Sequence, residues 1–199
     1  MSKSAGHSLM EAVEVAPQVA LTFDDGPHPV YTKLLLDGLK ERGVKATFFV
    51  LGENIEGNQD LLQRMAGEGH LIGNHTYSHR KLCDMCQEEA VNEIMKTSSL
   101  VKGAVGEGTE YIRPPFGEWS ARVEYEVAMF PVLWTVDTLD WTTKNVPLTV
   151  ERATAKIKDQ DIILFHDFYA SSVQSALRTV DILLEKGYEF VTVDQIILE

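Results

Sequence analysis

Two things are scarce in this 199-residue chain: cysteine and basic charge. Its two cysteines, Cys83 and Cys86, cannot build the disulfide framework on which small loop-rich folds depend. Lys and Arg together number 18 against 30 Asp and Glu, a net charge of −12. A nucleic-acid binder needs a basic face to neutralise phosphates, and docking on anionic lipid needs one too, so this balance argues against both. It suits recognition of neutral or cationic ligands. Long apolar runs are missing as well: none approaches the roughly 20 residues of a membrane-spanning helix. Low-complexity stretches, close repeats and linkers are absent. Residues 1–10 are polar and lack the apolar centre of a secretion leader. Either the chain is intracellular or a leader has been trimmed, and residues 1–16 read as an extension or as cloning residue.

What the chain does have is a globular composition, 44% hydrophobic and 24% charged, with length for one sizeable core. Strand and helix patterns alternate along it. Strands are expected at 19–23 (VALTF), 46–51 (ATFFVL), 70–73 (HLIG), 111–112, 131–136, 162–165 (IILF) and 190–193. Helices are expected over 30–42, 58–66 with Asn58 as cap, 87–101, 118–129, 149–158, 172–185 and after Asp194. About seven β/α units in one domain, 17–199, imply a parallel sheet flanked by helices. An open doubly wound sheet and a closed barrel both satisfy that pattern.

Polar residues gather directly after the apolar strands. Asp24 and Asp25 follow VALTF; Asn74, His75 and His79 follow HLIG; Arg113 follows Tyr-Ile; Asp137, Asp140 and Trp141 follow VLWTV; His166 and Asp167 follow IILF. In parallel α/β folds the carboxyl ends of the strands share one face, so these side chains converge. His75 and His79, four apart, can share a metal, with Asp24 or Asp25 as third ligand; the bland alternative is a surface or capping pair. Adjacent carboxylates repel, and a metal on one with an arginine on the other, Arg113 being a candidate, would resolve the conflict. The turn chemistry of Asp-Gly-Pro explains Gly26 and Pro27 but not two acids ending a buried strand. His166 can shuttle a proton if Asp140 or Asp137 fixes its tautomer.

At these residues the sequence resembles the polysaccharide deacetylases of carbohydrate esterase family 4, the NodB-homology domain, from about residue 19 to 197. Five motifs carry the resemblance, in order: Thr22-Phe23-Asp24-Asp25-Gly26; His75-Thr76-Tyr77-Ser78-His79; Arg113-Pro114-Pro115-Phe116-Gly117; Asp137-Thr138-Leu139-Asp140-Trp141; and Leu164-Phe165-His166. The resemblance implies a distorted, TIM-barrel-like (β/α)7 barrel. It implies Asp24 as general base, Arg113 as the residue that orients it, His166 as general acid and Asp140 as the carboxylate that tunes it. It implies a metal triad of Asp25, His75 and His79, usually for zinc, with cobalt or nickel effective in some members. Trp141 and Leu164 match the wall that receives the acetyl methyl. Phe116 stands where the family often has tyrosine, and the role there, stabilising the oxyanion, belongs to the backbone N–H.

The implied substrate is an N-acetylated glycan, peptidoglycan first and chitin oligomers next, with acetate released. Two alternatives compete: an O-acetyl xylan esterase, and a non-catalytic glycan-binding module. An intact base, acid and tuning aspartate suit amide cleavage, and a binding module would be expected to lack a ligand or the base. Such glycans lie outside the membrane, which implies an extracellular or envelope protein trimmed of its signal, or a cytoplasmic one if the chain is whole. Oligomeric state is not legible. Outside the motifs, Cys83 and Cys86 read as small packing residues near a helix start. Trp119 suits either sugar stacking or packing on the barrel, and His28 is a weak candidate for lining the groove.

Overall fold

The computed structural model describes residues 15–119 and 122–197. The expected extension at 1–16 lies outside them but for its last two residues. The strands are β1 (Gln18–Asp24), β2 (Thr47–Val50), β3 (Leu71–Asn74), β4 (Tyr111–Ile112), β5 (Phe130–Pro131), β6 (Val136–Asp137), β7 (Asp161–His166) and β8 (Glu189–Val191). The helices are α1 (Tyr31–Glu41), α2 (Gln59–Gly67), α3 (Gln87–Val105), α4 (Val146–Thr154), α5 (Ala170–Glu185) and α6 (Val193–Ile197).

All strand pairs are parallel, in the order β5-β4-β3-β2-β1-β7-β6. Short β8 pairs with the first half of β1, below β2 on the same edge. The sheet curls into a half-barrel with helices outside, in keeping with a distorted (β/α)7 barrel and not with an open doubly wound sheet.

Alternation along each strand sorts side chains into two layers. On β1, Val19, Leu21 and Phe23 join the large core between sheet and helices, while Ala20, Thr22 and Asp24 face the barrel interior. On β7, Ile163 and Phe165 pack outward, and Ile162, Leu164 and His166 do not. Phe23 stacks on Phe48 at 5.3 Å, and α5 closes this core with Val173, Ala176, Val180 and Leu183 on one helical stripe. Inside the barrel, Gly73 leaves room for Phe49: a Cβ at Gly73 would fall 2.4 Å from its ring.

Two expected elements differ. No helix forms among the described residues of 118–129; the segment is a run of turns. Val123 and Val127, both buried, have a helical spacing, but the bonds from Glu126 N–H and Val127 N–H to Val123 O close one turn there and no helix continues it. The strand expected at 131–136 is split between β5 and β6, which do not pair. Between them the carbonyls of Val132 and Leu133 turn inward to accept from Arg113 Nε (3.2 Å) and Nη2 (3.1 Å) instead of extending a ladder. The barrel is open at this point.

Candidate active site

Register places the chemistry. Asp24 is the Cα partner of His166 on β7 and of Phe49 on β2, while Asn74 at the end of β3 partners Val50 and Ile112. The carboxyl ends of β1, β3, β4, β6 and β7 therefore bring all five motifs to one cleft of about 440 Å³.

The two adjacent aspartates have separate partners. Asp24, buried, accepts from Arg113 Nη1 at 2.8 Å, and Arg113 also donates to Thr22 Oγ1 at 2.7 Å. Arg113 is fully buried, with its guanidinium 4.3 Å from the Phe49 ring centroid, so its charge is matched by Asp24 within an otherwise apolar and carbonyl-lined sleeve. Asp25 turns the other way on a left-handed backbone (φ +74°), held by Asn54 donating to its carbonyl. Its Oδ1 is buried and has no hydrogen-bond partner among the described residues. That oxygen lies 3.5 Å from His75 Nε2 and 3.7 Å from His79 Nε2.

These three residues fit a metal. Ligands about 2.0–2.1 Å from a tetrahedral zinc stand about 3.4 Å apart, close to the spacings here, and all three ligand atoms lie within 4.8 Å of one another. His75 Nδ1 sits 2.6 Å from the Arg113 carbonyl, which fixes the N–H there and leaves the Nε2 lone pair facing Asp25. Burial, then the neighbouring His75, pushes His79 below its ordinary value, in the direction that favours the neutral form a ligand needs.

Across the cleft, His166 Nδ1 lies 2.8 Å from Asp140 Oδ1, and the His166 N–H donates to Asp140 Oδ2 at 2.9 Å. Burial alone would lower this imidazole, but the Asp140 hydrogen bond and charge outweigh it and raise it to about 9. Asp140, not Asp137, is thus the partner of His166; Asp137 instead accepts from the Leu139 N–H. Asp167, beside it, is enclosed by the first motif: a Cβ at Gly26 would fall 2.3 Å from its Oδ2. Burial raises Asp167 to about 7.

Leu164, Trp141 and Phe116 line the cleft, Leu164 buried and the two aromatics exposed. Phe116 adopts φ +61°, and its ring meets His79 edge-on at 4.9 Å. Trp134 and Tyr169 also line the cleft and were not singled out from sequence. Each stands three residues from a motif residue, Trp134 before Asp137 and Tyr169 after His166, and that proximity was the only available signal. The other candidates fall elsewhere. His28 is not in the cleft lining; its Nδ1 accepts from the N–H groups of Val30 and Tyr31 at the start of α1. Trp119 packs against the satellite core of Leu82, Ile94 and Val123, which favours the packing role. Cys83 and Cys86 are free and do flank the start of α3, but both are exposed, so neither packs as a small core residue.

A profile of the polysaccharide deacetylase family matches residues 13–132. The chain is 38% identical over 179 residues to the peptidoglycan-N-acetylglucosamine deacetylase PgdA of Listeria monocytogenes, covering 90% of this chain but only 38% of that protein's length. It is 39% identical over 154 residues to a chitooligosaccharide deacetylase of Rhizobium leguminosarum bv. trifolii, covering 75% of this chain and 71% of the relative. The solved structure of the peptidoglycan deacetylase PdaC from Bacillus subtilis superposes with a TM-score of 0.89 at 36% identity, over 91% of this chain and 90% of that one.

Proposed function

The chain belongs to the polysaccharide deacetylase family, and from that premise we propose that it removes N-acetyl groups from N-acetylglucosamine-containing polysaccharide, peptidoglycan first and chitin-type oligomers next. The observation that carries this reading is the division of labour between adjacent aspartates: Asp24 is ion-paired to Arg113, while Asp25 keeps an orphaned oxygen between two histidines.

Asp25, His75 and His79 would hold a divalent cation, zinc first, which when bound supplies Lewis acidity to the acetamide carbonyl and acidifies water. Asp24, its Oδ1 tied to Arg113, directs Oδ2 toward His75, 3.7 Å from its Nε2, and takes the proton from the attacking water. The Phe116 backbone N–H steadies the developing oxyanion. Leu164 and Trp141 receive the acetyl methyl. His166, its Nδ1 tied to Asp140, presents Nε2–H and protonates the departing nitrogen, without which an amine would not leave. The products are acetate and a free amino sugar. Among the described residues lining the cleft none is Lys or Arg, and Asp137 adds a carboxylate. This lining supports a neutral N-acetylglucosamine at the scissile position over a muramic acid with its lactyl carboxylate.

Free-amine release from N-acetylglucosamine oligomers and from peptidoglycan, with zinc or cobalt supplied and with a chelator, tests the reading. Release that needs the metal is expected. A folded, metal-loaded protein that deacetylates xylan but neither N-acetylated glycan would overturn it in favour of the esterase.

A further inference from the structure

The two histidines of the metal triad are joined by a short loop with costly geometry. Thr76 and His79 both adopt left-handed backbone, φ +69° and +55°. Such conformations cost about 1–3 kcal/mol each and persist only where the surroundings dictate them; for a β-branched threonine the conformation is rarer still. The first half of the loop is held by neighbouring backbone and by the Asn74 side chain. His75 N–H donates to Val50 O, Asn74 Oδ1 accepts from Thr76 N–H, and Gly52 and Glu53 donate to the carbonyls of Thr76 and Tyr77. The second half, leading into His79, is held differently. Tyr77 N–H (3.1 Å) and Ser78 N–H (2.8 Å) both donate to one oxygen of Glu93 on α3, and the Ser78 hydroxyl lies 2.9 Å and 3.0 Å from the two carboxylate oxygens. Glu93 makes no ion pair among the described residues, so these loop donors are what its charge serves. The same turn of α3 also holds the strand end from which the loop springs, since the carbonyl of Ile94 accepts from Asn74 Nδ2 at 2.9 Å.

We propose that Glu93 is a positioning residue for the metal site: its carboxylate fixes the Tyr77–Ser78 backbone and thereby sets His79 at the distance from His75 and Asp25 that a metal requires. The inference rests on the reading of Asp25, His75 and His79 as the ligands. Charge-assisted bonds to backbone N–H groups are the strong kind and are directional, which suits a residue that acts on geometry without touching the metal. Partners of metal ligands typically contribute 10–100-fold to metal affinity.

The test is the dissociation constant for zinc, read by competition with a chromophoric chelator well below the melting temperature, on the full chain and four variants. Glu93→Ala should weaken binding about 10–100-fold. Glu93→Gln should stay within a few-fold of wild type: its carbonyl oxygen can accept the two amides while its NH2 donates to Ser78 Oγ. Ile94→Val, a core trimming on the same helix, should lower stability and leave zinc affinity unchanged. Asp25→Ala reports on the site itself and should abolish tight binding. If Asp25→Ala abolishes binding and Glu93→Ala does not weaken it, the Glu93 inference falls alone. The same holds if Glu93→Gln is as weak as Glu93→Ala, or if Ile94→Val weakens zinc as much, since either would reduce the effect to general stability. If Asp25→Ala binds like wild type, the metal reading falls and takes the inference with it. Should Glu93→Ala fail to fold, a Glu93→Gln affinity within a few-fold of wild type supports the proposal and a 10-fold or larger loss overturns it.

Discussion

The two ends of the barrel solve the same backbone problem with a different balance of residues. At the amino ends of the strands, returning chains turn through left-handed glycines: Gly43 before β2, Gly69 before β3, Gly106 after α3 and Gly187 before β8. At the carboxyl ends, glycine takes left-handed backbone at Gly57 and Gly117, but Asp25, Thr76, His79, Phe116 and Leu139 adopt it too. Five of the six positive-φ non-glycines among the described residues thus stand in or beside the motifs, the exception being Gln160. Glycine costs nothing sterically in this conformation, whereas a side chain is strained there. At the amino end glycine, the sterically easy solution, serves at these turns, with Gln160 just before β7 the one side chain among the described residues that takes left-handed backbone there. The carboxyl end accepts strain in the motifs themselves: Asp25, His79 and Phe116 line the cleft, while the N–H groups of Thr76 and Leu139 donate to the side chains of Asn74 and Asp137, and buried pairs such as Asp24–Arg113 and His166–Asp140 stand beside them.

The largest effect expected from breaking this contrast is at Asp24. Asp24→Asn removes the proton acceptor, and kcat should fall about 10²–10⁴-fold. Zinc content should persist, because Asp25 and the two histidines are untouched. The same change leaves the fully buried Arg113 facing a neutral acceptor. Removing one partner of a buried pair outright costs about 3–5 kcal/mol, and the asparagine should cost less because it still accepts a hydrogen bond. Steady-state kinetics, metal analysis and thermal melting on one preparation separate the effects. An active Asp24→Asn enzyme would remove the base assignment.

The His166–Asp140 pair gives an intermediate effect, seen as a shift along the pH axis. His166 is raised to about 9, so as an acid it should keep its proton, and the enzyme its rate, until pH approaches that value. A cation at Asp25 offsets the attraction of Asp24 and Asp25 for the imidazolium and draws this alkaline limb lower. Asp140→Asn takes away the main raising influence and leaves burial to act, so the limb of kcat should move toward acid. Stability follows the same sign. The folded state holds this proton more tightly than the unfolded chain, so the pair's contribution is complete below the ordinary value of 6.5 and is lost as pH rises through about 9. An alkaline limb in the same place for both proteins would show that another group sets it.

Most of this architecture could be read from the sequence because the motifs terminate apolar strands, and strand ends of a parallel sheet converge whatever the closure of the barrel. Asp24, Asp25, His75, His79 and His166 line one cleft for that reason, with Arg113 and Asp140 buried behind it against Asp24 and His166. The misreadings have physical causes too. Val123 and Val127 are buried like neighbours on a helix, but two anchors four residues apart specify one turn and no more. The strand expected at 131–136 breaks because Arg113, about 20 residues earlier, takes the carbonyls of Val132 and Leu133; such a long-range demand leaves no local pattern. Trp134, Tyr169 and Glu93 were invisible because an aromatic after a strand or a glutamate on a helix is ordinary until its neighbours are known.

The smallest expected effect sharpens the contrast from the other end. Gly43 has φ +66°, and a Cβ there would meet nothing within 4 Å, so Gly43→Ala adds backbone strain with no clash. The cost should be about 1 kcal/mol, or about 2–4 °C in melting temperature for a chain of this size. Turnover and zinc affinity of the folded protein should be unchanged, because the turn joins α1 to the amino end of β2, away from the cleft. Melting curves with and without zinc, alongside amine-release kinetics, check this. The strain imposed at Gly43 is of the same kind that Thr76 and His79 already carry. An effect confined to stability would show that left-handed strain has catalytic meaning only where it aims a ligand. A loss of zinc affinity would show instead that the two ends are coupled through β2 and β3, and that the amino end is more than a scaffold.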